Sequence, residues 1–330
     1  MHLDPFELYR PTTVDEVVRL AGDLGSGYDL LAGGTDLLPN YKMHLNVRPN
    51  LISLDGVEEL KGHSVGRIGA MARLADLESD GAMGAAYPGL GEAIREVATP
   101  LVRAQATVGG NLLVETRCFF FNQSYFWRES LGFCLKADGD RCHVVPQKER
   151  CYATFSGDLA PALAVLDAEV EIAGSEGRRR VPVLDLYDRG GDGIRRHHLR
   201  PGELLVAARL PESARGRAAS YQKLRVRPSF DFPELGLAAS AEVDDGTVRS
   251  LVLAAGGLET CPRRFDEVTA RLVGSRLTDE AISRVSQEIM NEVRPVHNTF
   301  LMPTYRKRMV GVFVRRALER FARPPRRTAS

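Results

Sequence analysis

The chain has 330 residues, 44% hydrophobic and 26% charged, enough to bury a substantial core and to divide into two or three domains. Its 44 Lys and Arg stand against 43 Asp and Glu, a net charge of +1, which leaves no overall field to favour nucleic acid or an anionic membrane. No stretch approaches the ~18 uninterrupted apolar residues of a spanning helix, and residues 1–10 hold Asp4 and Glu7 in place of an apolar secretory run, so a cytoplasmic location is expected.

Thr13-Val14-Asp15-Glu16 has the form of a capping box, and Val14, Val17, Val18, Ala21 and Leu24 follow at helical spacing until Gly25, which predicts a helix between the two. Residues 28–32 read as a short buried strand that breaks at Gly33-Gly34-Thr35-Asp36 into a helical stretch, 37–44, and 51–54 read as the next strand. This is a small βαβ-like unit with a glycine turn at a strand end. From Val65 the pattern changes to a strand at 65–70, a helix around 90–98 and an irregular stretch at 107–113. A helix at 159–166, a hairpin pairing 169–173 with 180–183 around Ser175-Glu176-Gly177, and a strand at 203–210 complete a second α+β unit. A third unit begins near Ala218, with strands at 220–225, 236–243 and 248–255, the last two joined at Asp244-Asp245-Gly246. Three helices follow, at 263–273, 279–293 and 304–322, and 323–330 form a Pro- and Arg-rich tail expected to fray.

Gly33-Gly34-Thr35-Asp36 follows a strand and opens a helical segment, so successive backbone N–H groups can converge on an anion with no Cβ in the way. A diphosphate fits such a turn, but a double glycine at a strand end is also a plain turn, and one instance does not separate the two. Thr107-Val108-Gly109-Gly110-Asn111 is a second turn of the same character, again with a polar side chain after the glycines. Two such turns from different domains suit a dinucleotide held across a domain crevice. The region has no G-x-G-x-x-G fingerprint, which disfavours a Rossmann site.

Leu31-Ala32-Gly33-Gly34-Thr35-Asp36, running into Leu37, and Ala106-Thr107-Val108-Gly109-Gly110-Asn111 resemble the two flavin diphosphate loops of the medium subunit of the xanthine dehydrogenase and CO dehydrogenase family. The resemblance covers nearly the whole chain. It implies an α+β protein with a vanillyl-alcohol-oxidase-type (PCMH-type) FAD-binding fold of two α/β subdomains, 1–56 and 57–212. A C-terminal α+β domain of antiparallel strands and three helices, 213–323, and a tail, 324–330, would follow. Ser156-Gly157-Asp158 matches a family Ser-x-Asp whose Asp supports the cofactor, and Lys223, in Tyr221-Gln222-Lys223-Leu224-Arg225, matches a position near the flavin. Read from the residues alone, Asp158 is also an N-cap for the helix that follows, and Lys223 a solvated strand residue. Neither glycine loop offers a His or Cys for covalent attachment, so the resemblance implies non-covalent FAD, held by backbone N–H groups with Thr35, Thr107 and Asn111.

Five cysteines, an odd number in a chain too large to need staples, argue against a secreted disulfide framework. Cys261 stands alone before a proline and reads as a small buried residue. Cys118, Cys134, Cys142 and Cys151 fall in one segment, at about 115–153, between the second glycine loop and Ser156. Arg117, Asn122, Lys136, Asp138, Asp140 and Arg141 make this segment too polar for a core element, so four unrelated buried thiols explain it less well than a metal does. Cys₄ zinc sites usually show close C-x₂-C pairs, absent here, which favours an iron-sulfur cluster while leaving zinc open. His143 reads as a bystander or an outer donor to a ligand.

Thr116-Arg117-Cys118, Phe126-Trp127-Arg128, Leu131-Gly132-Phe133-Cys134-Leu135-Lys136, Asp138-Gly139 and Cys142-His143-Val144 resemble the extra loop of the 4-hydroxybenzoyl-CoA reductase branch of that family. The periplasmic aldehyde oxidoreductases carry such an insert too, with flanking residues less similar to these. The resemblance implies that the four cysteines hold a 4Fe-4S cluster and that no residue of this chain is a catalytic acid or base. It further implies a large molybdopterin-binding subunit and a small subunit with two 2Fe-2S clusters as partners, assembled as a dimer of heterotrimers. Ferredoxin or a similar low-potential donor would supply the electrons. Two rival readings are the flavin subunit of an aldehyde- or xanthine-oxidising molybdenum hydroxylase, and a non-redox nucleotide-binding protein with structural zinc in the insert.

Overall fold

The computed structural model describes residues 3–322. The tail expected to fray, 323–330, lies outside them. The N-terminal unit comprises β1 (Glu7–Tyr9), α1 (Val14–Leu24), β2 (Tyr28–Leu31), α2 (Leu37–Lys42) and β3 (Asn50–Ser53), its strands all parallel in the order β1-β3-β2. The capping box of α1 is present: Glu16 N donates to Thr13 Oγ1 at 3.2 Å, and Thr13 N to Glu16 Oε2 at 3.3 Å. Strand β1 is too short and polar to show a period; only its non-local pairing with β3 makes it a strand. Val14, Val17 and Ala21 pack α1 between this sheet and the next, against Ile52 on one side and Leu204 and Val206 on the other.

The second unit opens with β4 (His63–Ser64) and β5 (Arg67–Gly69), a hairpin turning at Val65-Gly66 where a single strand was expected. Helices α3 (Leu74–Ser79), α4 (Gly81–Ala86), α5 (Pro88–Glu96) and α6 (Pro100–Arg103) follow. The first two are too short to show periodicity; Asp80 caps the second, its carboxylate accepting from the amides of Ala82 and Met83 at 2.8 and 3.2 Å. The stretch expected to be irregular, 107–113, contains helix α7 (Val108–Leu112); Thr107 caps it, overcoming the poor helix propensity of its two glycines. The cysteine segment carries one helix, α8 (Tyr125–Ser130). Helix α9 (Leu159–Ala164) is buried on every side. The hairpin β6 (Glu169–Gly174) and β7 (Gly177–Pro182) with β8 (Leu204–Arg209) completes a five-stranded sheet, β4-β5-β8-β6-β7.

The third unit is an antiparallel sheet of β9 (Ala218–Leu224), β10 (Leu235–Asp244), β11 (Thr247–Gly256) and β12 (Arg263–Arg264), in the order β12-β11-β10-β9. A helix beginning at Arg263 was expected. Arg263 and Arg264 instead pair with Ala255 and Ala254 as an edge strand, and α10 (Asp266–Ala270) starts beyond it. Helices α11 (Asp279–Glu292) and α12 (Pro303–Ala322) cover one sheet face. The period of two along β10 sends Leu237, Ala239 and Ala241 toward those helices and Ala238 toward α5 and α9, so the sheet is a wall shared by two cores. No helix among the described residues is long and apolar enough to cross a membrane. These elements form the expected α+β layout, two mixed units followed by a C-terminal unit of antiparallel strands and helices.

Arg306 of α12 is fully buried and donates to the carbonyls of Glu234 and Val296 at 3.0 Å each, to that of Gly257, and to Asn298 Oδ1 at 3.1 Å. Replacing it with methionine keeps most of the volume but strands the carbonyls of Glu234 and Gly257 and Asn298 Oδ1 without a donor, and removes the cation beside the Glu234 carboxylate. Arg306→Met is expected to cost about 3–5 kcal/mol, read as a lower denaturant midpoint; a loss below ~1 kcal/mol would show that the acceptors find other donors.

Candidate functional site

A cavity of about 990 Å³ lies where the units meet, the size of a cofactor site. Both glycine turns line it, with Asp158, the basic segment holding Arg195 and Arg196, and Phe230 and Phe232. The two turns touch through Gly33. A Cβ there would stand 1.9 Å from the carbonyl oxygen of Gln105 and 3.2 Å from Ala106 Cα, in the backbone leading into the second turn. Only glycine allows this approach.

The turns differ in what they offer. Among the described residues, the amides of Gly33, Gly34, Thr35, Asp36 and Leu37 donate to no protein acceptor, and all five residues border the cavity. In the second turn four of the five amides are used: Val108 N donates to Ala72 O at 3.1 Å, Gly109 N to Ala70 O at 2.7 Å, Gly110 N to Thr107 Oγ1 at 3.1 Å and Asn111 N to Thr107 O at 3.0 Å. The first turn can therefore bind an anion with a row of main-chain amides, while the second offers mainly side-chain donors, the Thr107 hydroxyl and Asn111 Nδ2. Leu31 and Ala32 lead into the first turn, and Ala32 borders the cavity. Thr35 is exposed, and the Asp36 carboxylate pairs with Arg117 and accepts from Asn40 Nδ2 at 3.3 Å. Burial raises the pKa of Asp36, and Arg117 opposes that rise.

Asp158 heads α9 but does not cap it. Asn111 Oδ1 takes that role, accepting from Leu159 N at 3.0 Å. The buried Asp158 carboxylate accepts from Tyr221 Oη at 2.7 Å and from Lys223 Nζ at 3.1 Å, and Lys223 Nζ also donates to Glu96 O at 2.9 Å. Burial raises the pKa of Asp158, with Lys223 and Tyr221 pulling it back. The Lys223 side chain is wholly buried, which rules out the solvated alternative; it stands behind Asp158, away from the cavity lining.

The basic wall carries its own counter-charge. Burial pushes the pKa of Glu115 up, but Lys136 and Arg196 outweigh it and bring the carboxyl down to about 2. Burial, with Arg196 adding to it, lowers His197 to about 4. Arg117 ties the site together, reaching Asp36 in the first turn and standing 4.2 Å over the Phe232 ring. The sequence marks Arg117 only as a polar residue beside a cysteine.

The four insert cysteines are buried and unbridged, and all four line one cavity of about 10 Å³, together with Phe120, Phe121, Lys136 and His143. Burial pushes the Cys118 thiol up to about 12 and the Cys151 thiol up to about 11. The chain doubles back at Cys134, where Phe133 and Asp138 take positive φ and a Cβ on Gly139 would stand 2.5 Å from Cys134 N. Four soft thiols on one cavity are the donor set of an iron-sulfur centre. They close over a space the size of one water, and no three His, Cys, Asp or Glu side chains among the described residues already stand as a metal site, so seating a cluster requires the thiols to spread.

Residues 4–213 match the family model described as the FAD binding domain in molybdopterin dehydrogenase, and residues 219–321 the CO dehydrogenase flavoprotein C-terminal domain. The aldehyde oxidoreductase FAD-binding subunit PaoB of Escherichia coli K12 is 35% identical over 257 residues, 74% of this chain and 79% of that one. The carbon monoxide dehydrogenase medium chain of Hydrogenophaga pseudoflava is 29% identical over 318 residues, 95% and 96% of the two chains. The structure of carbon monoxide dehydrogenase from Hydrogenophaga pseudoflava lacking the Mo-pyranopterin moiety superposes with a TM-score of 0.79 at 28% identity, covering 97% of this chain and 98% of that one.

Two measurements probe this site. Gly33→Ala forces apart the contact between the turns and is expected to weaken FAD binding by roughly tenfold or more, about 1.4 kcal/mol, in a flavin-fluorescence titration; unchanged affinity would mean that the contact does not shape the cavity. Unfolded His197 takes up a proton near its ordinary pKa of about 6.5, whereas in the fold it does so only at about 4. Stability is thus expected to fall as pH drops through that window, and His197→Asn to flatten the decline in denaturant melts; an unchanged slope would refute the burial argument.

Proposed function

The chain belongs to the family of FAD-binding subunits of molybdopterin dehydrogenases, and from that premise we propose that it is the FAD and 4Fe-4S subunit of a 4-hydroxybenzoyl-CoA reductase. As an oxidoreductase subunit it would serve a heterotrimeric molybdenum enzyme that removes the ring hydroxyl reductively to give benzoyl-CoA. The observation that carries this reading is the convergence of Cys118, Cys134, Cys142 and Cys151 on one buried cavity beside the larger one.

The amides of Gly33, Gly34, Thr35, Asp36 and Leu37, with the adjoining Leu31 and Ala32, would receive the diphosphate of non-covalent FAD. Thr107 and Asn111 add side-chain donors, Gly109 and Gly110 let the second turn pack closely, and Asp158, fixed by Tyr221 and Lys223, presents a carboxylate at the cavity edge. When bound, FAD supplies the exchange of one or two electrons, which couples a one-electron donor to a two-electron reaction elsewhere. The four thiolates would hold the cluster. Five cysteines, four of them committed there, leave no ligands for the 2Fe-2S centres, which would belong to a small partner subunit, and molybdopterin to a large one. A dimer of such heterotrimers, fed by ferredoxin or a similar low-potential donor, is the proposed assembly. This chain then binds and orients cofactors and supplies no catalytic acid or base.

A second reading, the flavin subunit of an aldehyde-oxidising molybdenum hydroxylase, draws support from the 35% identity with PaoB. Family membership sets aside the non-redox nucleotide-binding reading.

Anaerobically purified protein is expected to show flavin bands and broad iron-sulfur absorption, with iron and acid-labile sulfide in equal amounts. Cys142→Ser should lose most of the iron while retaining FAD, and the reconstituted trimer should turn over 4-hydroxybenzoyl-CoA with a low-potential donor. Zinc in place of iron would sink the cluster assignment, and turnover of aldehydes alone would select the second reading.

A further inference from the structure

Phe121 and Lys136 line both cavities. Phe121 is 1% exposed and the Lys136 side chain 3%, and Nζ stands 5.0 Å from the Phe121 ring centroid. Nζ also donates to Glu115 Oε1 at 2.6 Å, to Gly193 O at 2.9 Å and to the Thr116 hydroxyl. Leu45 packs among the cysteines and also borders the larger cavity. The partition between the two spaces is thus a single layer of side chains with a buried ammonium in it. Its counter-charge is one-sided: Glu115 borders the larger cavity and not the cysteine cavity, and Arg196, its other partner, does likewise.

We propose that Lys136, seated on Phe121, is the positioning charge of the wall between the two redox sites, favouring the reduced state of a group on either side and acting with least compensation on the cysteine side. The inference rests on the reading of the insert as a cluster site. The physical reason is that an added electron brings negative charge into a poorly solvated space, where a fixed cation stabilises it and thereby raises the reduction potential. On the larger cavity's side Glu115 offsets part of that field; on the cysteine side nothing in the lining does. Lys136 touches no substrate, and its part is to set how readily each site holds an electron.

The test is an anaerobic redox titration of the full chain with its bound flavin, following the reduced cluster by electron paramagnetic resonance and the flavin by visible absorption. Lys136→Met is expected to lower both midpoint potentials, the cluster's more than the flavin's, and Lys136→Arg to restore them. Glu115→Gln is expected to shift the flavin midpoint upward, the opposite sign, and gives a reading even if the methionine variant does not fold. Iron-replete Lys136→Met protein with unmoved midpoints, or Glu115→Gln protein with no upward shift, would overturn this proposal and leave the cluster assignment standing. Absence of iron from the unaltered protein would overturn both.

Discussion

The approach of Gly33 to the carbonyl of Gln105 is the constraint from which the site follows. It brings the turn after β2 against the backbone entering α7, so that two units which share no sheet share a cavity. With the turns in contact, their amides are divided by necessity. Those of Val108 to Asn111 in the second are taken up by Ala70, Ala72 and Thr107, which hold α7 in place, and those of the first are left facing the cavity. A row of backbone donors without protein acceptors is costly unless water or a ligand satisfies it, and their place at a strand-to-helix turn makes a diphosphate the natural acceptor.

Much of this arrangement is legible in the sequence because its signals are local. The capping box at Thr13, the hairpin around Ser175-Glu176, the Asp245-Gly246 turn and both glycine turns each depend on a few consecutive residues. What the sequence hides is set by partners far along the chain. β1 exists because β3 offers it a ladder, and Arg263 and Arg264 are strand because β11 has a free edge. Asp158 precedes a helix and looks like its cap, yet its carboxylate turns to Tyr221 and Lys223, and Asn111, from the second glycine turn, accepts from the helix's first amide. Lys223 looks solvated on its strand, but Asp158 and the Glu96 carbonyl draw it fully inside. The same limit hides Phe121 and Lys136: their spacing carries no message, and only the folded insert sets them between two cavities.

The electrostatics obey a common rule. Where a carboxylate is buried with two cations, as Glu115 is, it remains charged well below its ordinary range. Where burial outweighs the neighbouring cations, as for Asp158 beside Lys223 and for Asp36 beside Arg117 and Arg196, the pKa rises.

The insert is anchored in a way that reaches beyond its own residues. Asn298 accepts from Phe119 N at 3.0 Å, next to Cys118, and its side chain donates to the carbonyl of Tyr152, next to Cys151. One asparagine thus staples the two ends of the thiol loop, and Arg306 holds that asparagine from the last helix. While the C-terminal unit stays docked this staple ties the loop's two ends together, so the last described helix acts as a latch on a segment more than a hundred residues upstream.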